Sequence, residues 1–138
     1  MITQVDGLDK VIKELRRRGA NVTKSLEVIC TAGAGVIETQ AKSNAVGSIA
    51  SAITKRTTER KKNRVTVSIF PKGKFYARFV EYGTKPHRIP RGVVGGIPRK
   101  NIKHPGAKAR PFMRPAFDVK QGQAKNAMGE KVKELVES

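Results

Sequence analysis

The feature that most limits this chain is where its charge lies. Residues 53–117 hold eighteen Lys or Arg against two acids, Glu59 and Glu81. Residues 1–52 carry seven basic and five acidic residues, and residues 118–138 carry four of each. Nearly all of the net charge of +18 therefore falls in the middle of a 138-residue chain. Self-repulsion at that density weakens a lone compact chain, so the middle calls for an anionic partner or for basic side chains that reach into solvent. All seven aromatics, from Phe70 to Phe117, fall in the same stretch. Basic and aromatic residues interleaved can mark nucleic-acid contact. Ordinary burial preferences favour the other reading, with the aromatics as core and Lys and Arg as the solvated exterior.

The length suits a single domain over residues 1–138, burying roughly two-thirds of its unfolded surface. One cysteine rules out an internal disulfide and makes a thiolate metal site implausible. There is no run of 18 apolar residues to cross a bilayer. Met1 to Leu8 lacks the basic-then-apolar pattern of a signal peptide. These features point to an intracellular soluble protein, or to part of a particle assembled inside a cell.

Apolar spacing defines the elements. Leu8, Val11, Ile12 and Leu15 predict an amphipathic helix with Asp6 as N-cap and Gly19 as stop. Val22, Leu26, Ile29, Cys30, Gly33, Val36 and Ile37 share one face of a second, longer helix. Its Ala32-Gly33-Ala34-Gly35 run reflects either close packing or plain tolerance, since each interior Gly costs roughly 1 kcal/mol against Ala. Ile53–Glu59 and Arg64–Phe70 read as a hairpin turning at Lys61-Lys62-Asn63. Phe75, Tyr76, Phe79, Val80 and Tyr82 have near-helical spacing, ended by Gly83. From Thr84 to Ala109, four prolines and four glycines predict a long basic loop, extended over 85–108. Arg110–Phe117 re-enters the fold, and Ala124, Met128, Val132 and Leu135 (or Val136) line one side of a closing helix. The expected class is α+β: two N-terminal helices, a small antiparallel sheet with a basic hairpin, a long basic loop and a C-terminal helix.

The residues for catalysis are missing. His87 and His104 lie in the loop with no third ligand at metal spacing. Glu59 and Glu81 are too isolated to be called a carboxylate pair, although Glu81, amid aromatics, is suited either to accept hydrogen bonds from loop amides or to pair with a neighbouring Arg. Cys30 has no basic neighbour to activate it. Gly92-Val93-Val94-Gly95-Gly96 lacks the Gly-Lys-Ser/Thr ending of a phosphate loop. The expectation is a non-enzyme with no metal and no cofactor.

Two blocks carry a resemblance: Tyr76-Ala77-Arg78-Phe79-Val80-Glu81-Tyr82-Gly83-Thr84 and Ala109-Arg110-Pro111-Phe112-Met113-Arg114-Pro115-Ala116-Phe117. Together they resemble the signature of the tail-component family of long-tailed phages, also called neck or head–tail joining proteins. Gly7-Leu8 and Gly47-Ser48-Ile49-Ala50-Ser51-Ala52-Ile53 are similar as well, so the likeness runs over about residues 7 to 135. Ser43-Asn44-Ala45-Val46 stands where the family has Pro-x-Asp-Thr, a departure at the approach to the first strand. The resemblance implies a structural virion protein in the tail or neck, assembled in the host cytoplasm. It also implies a ring of the protein itself, six copies by tail symmetry or twelve on the portal side, between adjacent neck and tail proteins, with double-stranded DNA in the lumen. In that setting Arg56, Arg60, Lys61, Lys62 and Arg64 of the hairpin would contact DNA or a partner ring. Arg88, Arg91, Arg99, Lys100 and Lys103 of the loop would do the same. Tyr76, Glu81, Gly83, Thr84, Arg110, Pro111, Phe112, Arg114 and Pro115 would define the fold. The alternative is a free, sequence-nonspecific nucleic-acid-binding module. The charge favours it, and the lack of any helix-turn-helix or zinc-finger pattern opposes it.

Overall fold

A computed structural model describes residues 7–19, 21–89, 92–94, 97–99 and 102–137. Two long helices form its body. Helix α1 (Leu8–Arg17) is followed by α2 (Val22–Asn44), which starts where the Asn21 side chain accepts the Lys24 amide at 3.1 Å. This is an N-cap of the usual kind. The Asp6 cap expected for α1 lies outside the described residues, and Gly7 occupies the N-cap position. Chain-terminal helix α5 (Met113–Glu137) runs antiparallel to α2: Phe112 and Ala116 meet Ala41, whereas Leu135 and Val136 meet Val22 and Leu26.

The small-residue run in α2 separates into two cases. A Cβ on Gly33 would sit 2.7 Å from Met128 Cγ and Sδ and 3.4 Å from the Ala124 carbonyl, so that glycine lets α5 approach. A Cβ on Gly35 would meet nothing within 4 Å, so Gly35 is only tolerated.

After α2 a short helix, α3 (Ser48–Ala52), precedes the hairpin of β1 (Ile53–Lys61) and β2 (Arg64–Pro71). The sequence pattern did not anticipate α3. Register runs from Ile53 opposite Pro71 to Lys61 opposite Arg64, with an irregularity between Thr57 and Glu59. Because side chains alternate across a strand, Ile53 and Ile69 reach a cluster with Ala41, Ile49, Ala77, Phe112 and Ala116. Val65 reaches a second cluster, that of Ile12, Leu15, Val22 and Leu26. The α+β architecture with a small two-stranded antiparallel sheet and a C-terminal helix stands as expected.

Two expectations are corrected. The described residues of the segment expected as an irregular loop form two antiparallel strand pairs, together a β-ribbon. Strand β3 (His87–Ile89) pairs with β6 (Ile102–His104), and inside them β4 (Gly92–Val94) pairs with β5 (Ile97–Arg99). Its strands are three residues long, below what proline- and glycine-rich sequence reveals. The aromatics, expected as core, are mostly outside it: of the seven, Phe112 alone belongs to the buried core, at 2 % exposure. Helix α4 (Ala77–Tyr82) forms as its spacing predicts, but turns Ala77 and Val80 inward and leaves Phe79 and Tyr82 outside.

Candidate functional site

The two blocks that carry the resemblance meet in space at the root of the ribbon. Both oxygens of Glu81, in the last turn of α4, accept backbone amides at the start of α5. Oε2 takes Phe112 at 2.8 Å and Met113 at 3.1 Å, and Oε1 takes Arg114 at 3.1 Å. The first turn of a helix has amides without an intrahelical partner, and α5 has no acidic residue in its own first turn. A carboxylate thirty-odd residues upstream supplies the cap and a charge of the sign that the helix dipole favours. Pro115 fits the same turn, where its missing N–H leaves no bond unmade.

The rest of the motif closes around that contact. Gly83 has φ 73°, and a Cβ there would lie 2.7 Å from the Ala107 carbonyl and the Ala109 nitrogen. Thr84 and Ala107 exchange backbone bonds of 2.9 and 3.1 Å, and the Ala107 amide also reaches Thr84 Oγ1 at 2.9 Å. The Arg110 amide donates to Val80 at 2.7 Å. Phe112 then drops into the core, while Pro111 and the side chains of Arg110 and Arg114 stay exposed. Tyr76 ties α4 to α3 through Ser48 Oγ at 3.0 Å.

The hairpin is held at its tip rather than left as a free finger. Thr23 Oγ1 lies 3.4 Å from the carbonyls of Lys61 and Lys62, and Arg16 donates to Asn63. Arg60 makes two bonds to Glu27, at 3.1 and 2.6 Å. Hydrogen bonds from Arg60, helped by Thr57, lower the Glu27 carboxyl below its ordinary value, and Glu27 in turn raises Arg60. Glu59 takes Lys61 at 2.9 Å and both Arg64 bonds at 3.0 Å, which bring its pKa down to about 2. Arg56 lies 5.2 Å above the Phe70 ring. Arg60, Lys61 and Arg64 are thus ion-paired inside the molecule, whereas Lys62 is exposed at the turn with Arg16, not singled out by the sequence, beside it. A signal for Arg16 was present in Arg16-Arg17-Arg18, but Glu14 takes Arg17 and Arg18 at 2.7 and 2.9 Å.

On the ribbon, Arg88 stands directly opposite Lys103, both exposed. Like charges across a strand pair disfavour the pairing by a few tenths to about 1 kcal/mol. On the other face the rings of His87 and His104 stack with centroids 4.9 Å apart. His87 Nδ1 bonds the Lys85 carbonyl at 2.8 Å, and His104 Nδ1 accepts the Gly106 amide at 3.0 Å. Arg91 and Lys100 lie outside the described residues, as does the side chain of Arg99.

Among the described residues, no group of three or more His, Cys, Asp or Glu is placed to hold a metal ion, and no helix is long and apolar enough to cross a membrane. Burial raises the Cys30 thiol above its ordinary value, away from the thiolate.

No protein of curated function and no solved structure matches the chain. The sequence profile of the family described as "Bacteriophage HK97-gp10, putative tail-component" matches residues 9–83, from the second residue of α1 to the glycine after α4. With more than half of its length inside that match, the chain belongs to the HK97-gp10-like family of phage tail components.

Proposed function

We propose that this tail-component protein forms a closed ring at the head–tail junction, as a neck or tail-completion protein through which the genome passes. The observation that carries the reading is the β-ribbon, which holds Arg88 against Lys103 although their mutual repulsion opposes the pairing. A pair kept in that arrangement suits an anionic surface laid across it. The hairpin serves as the second, weaker contact, since Glu27 and Glu59 already hold three of its cations, Arg60, Lys61 and Arg64. Ring closure follows from the job: a head-to-tail interface that did not close would run on as a filament. Six copies match tail symmetry and twelve the portal side. The protein acts as a structural component and catalyses nothing.

Fluorescence anisotropy with short duplex DNA of two unrelated sequences, over a series of salt concentrations, tests the reading. Weak binding that ignores sequence and fades near physiological salt is expected of a channel lining. Tight, salt-resistant binding that prefers one sequence would instead identify a nucleic-acid-recognition module.

A further inference from the structure

Helix α4 is amphipathic in the reverse of the usual sense. Its inward face carries Ala77, Val80 and Glu81, two small or medium apolar residues and a carboxylate engaged with α5. Its outward face, continued into the preceding turn, carries Phe75, Arg78, Phe79 and Tyr82, at i, i+3, i+4 and i+7. Phe75 and Tyr82 are 82 % and 81 % exposed, Phe79 47 % and Tyr76 36 %. At those exposures four aromatic residues present roughly 400–600 Å² of largely apolar surface. A contiguous patch of that size is at the top of the range for a monomer and marks an interaction site. Aromatic residues and arginine are also the types that carry most of the energy in protein interfaces.

We propose that the outer face of α4 docks an acidic surface of a different protein in the assembled particle. Charge selects the occupant. Glu81 is the only acid between Lys72 and Arg114, and the α5 amides take both of its oxygens. Lys72, Lys74 and Arg78 belong to or immediately precede this segment and the Arg114 amide is bonded to its Glu81, none of the four cations being ion-paired among the described residues. A second copy meeting the patch with its own would oppose two sets of four cations. Elsewhere Glu14, Glu27, Glu38, Glu59 and Glu134 are paired with the chain's own Lys and Arg, so the acids a second copy could offer without an ion pair of their own among the described residues number only four, Asp9, Asp118, Glu130 and Glu137. Nucleic acid fits less well. Phe75 and Tyr76 meet edge to face at 87°, and Arg78 lies 5.6 Å from the centre of the Phe79 ring. Crossed and covered rings make a poor platform for stacked bases, whereas apolar side chains can lodge between them. Carboxylates around such anchors would pair with the four cations and steer association.

The proposal rests on membership of the particle and is independent of ring formation. Particles of the phage that encodes the chain would be assembled with p-benzoylphenylalanine at Phe79 or at Tyr82, irradiated, and the cross-linked peptides sequenced. The expected product joins this chain to a segment of another virion protein with Asp and Glu in excess. Cross-links to a second copy, to DNA, or to nothing in particles that contain the chain would overturn the docking proposal. Particles that lack the chain would overturn the virion reading, and the docking proposal with it. Because the three side chains are at the surface, F75S/F79S/Y82S should keep the unfolding temperature of the isolated chain. Its incorporation into particles is expected to fall by about tenfold or more, as loss of an aromatic anchor cluster does. Unchanged incorporation would overturn the proposal.

Discussion

Glu81 shows how a single side chain can set the arrangement of a segment. It is one of only two acids in a stretch of sixty-five residues, and it serves three amides rather than any of the surrounding cations. A charged acceptor for several buried or half-buried amides is worth more than a neutral one. Replacing it with alanine removes the only acidic cap of α5 and is expected to cost about 2–3 kcal/mol of unfolding free energy. Glu81→Gln keeps the shape and one acceptor, so it should cost roughly half as much, a difference that urea titration of the two variants would resolve. Equal losses would mean that the side chain acts by packing. The same residue explains why the aromatics were misread from sequence. Near-helical spacing of Phe75, Tyr76, Phe79, Val80 and Tyr82 identifies a helix but leaves open which side faces in. Size favours the rings, yet the contact with α5 turns Glu81 inward, and Ala77 and Val80 go with it. That contact spans thirty-one residues and more, beyond what local periodicity can register.

At the scale of elements, legibility followed length. Helices α1, α2 and α5 and the β1–β2 hairpin each repeat their apolar period several times, and all were readable. Helix α3 has five residues and each ribbon strand three, too few for a period to repeat. The candidate site divided in the same way. Which residues were basic was plain from the sequence, but which of them were already paired was not, because Glu27 reaches Arg60 across thirty-three positions. The hairpin consequently has a pH response of defined sign. The Glu59 carboxyl is lowered from 4.5 to about 2, chiefly by hydrogen bonds from Lys61 and Arg64. A group whose folded pKa is depressed stabilises the fold above its unfolded value and loses that contribution as pH falls through the folded one. The advantage of the parent over Glu59→Gln in thermal unfolding should accordingly be constant above pH 4.5 and shrink toward pH 2. A gap that persisted unchanged to pH 2 would show that the Glu59 carboxylate contributes through something other than its charge.

For the whole molecule the governing quantity is a net charge of +18 distributed over unequal partners. Arg60, Lys61 and Arg64 of the hairpin are ion-paired, and among the described residues Arg88 and Lys103 of the ribbon are not. Salt dependence of DNA binding distinguishes the two, since the slope of log affinity against log salt carries about 0.9 for every phosphate that a cation neutralises. Arg88→Ser with Lys103→Ser should reduce that slope by roughly two, and Arg60→Ser with Arg64→Ser by clearly less. A larger reduction at the hairpin would reverse the order of the two surfaces. The manner in which the ribbon leaves the body has a separate consequence. Thr84 and Ala107 are bonded to each other, and Gly83 and Gly106 admit the crossing of the two chains there, with a Cβ on Gly106 only 2.8 Å from the Lys85 carbonyl carbon. Everything between those residues therefore begins and ends at one point of the molecule, as a cassette does. Its length and tip can be exchanged with little effect on the helices below, because enlarging a loop whose ends are already joined adds only about 0.6 kcal/mol per doubling. A phage that must fit this tail component to new neighbours could do so by splicing this cassette alone.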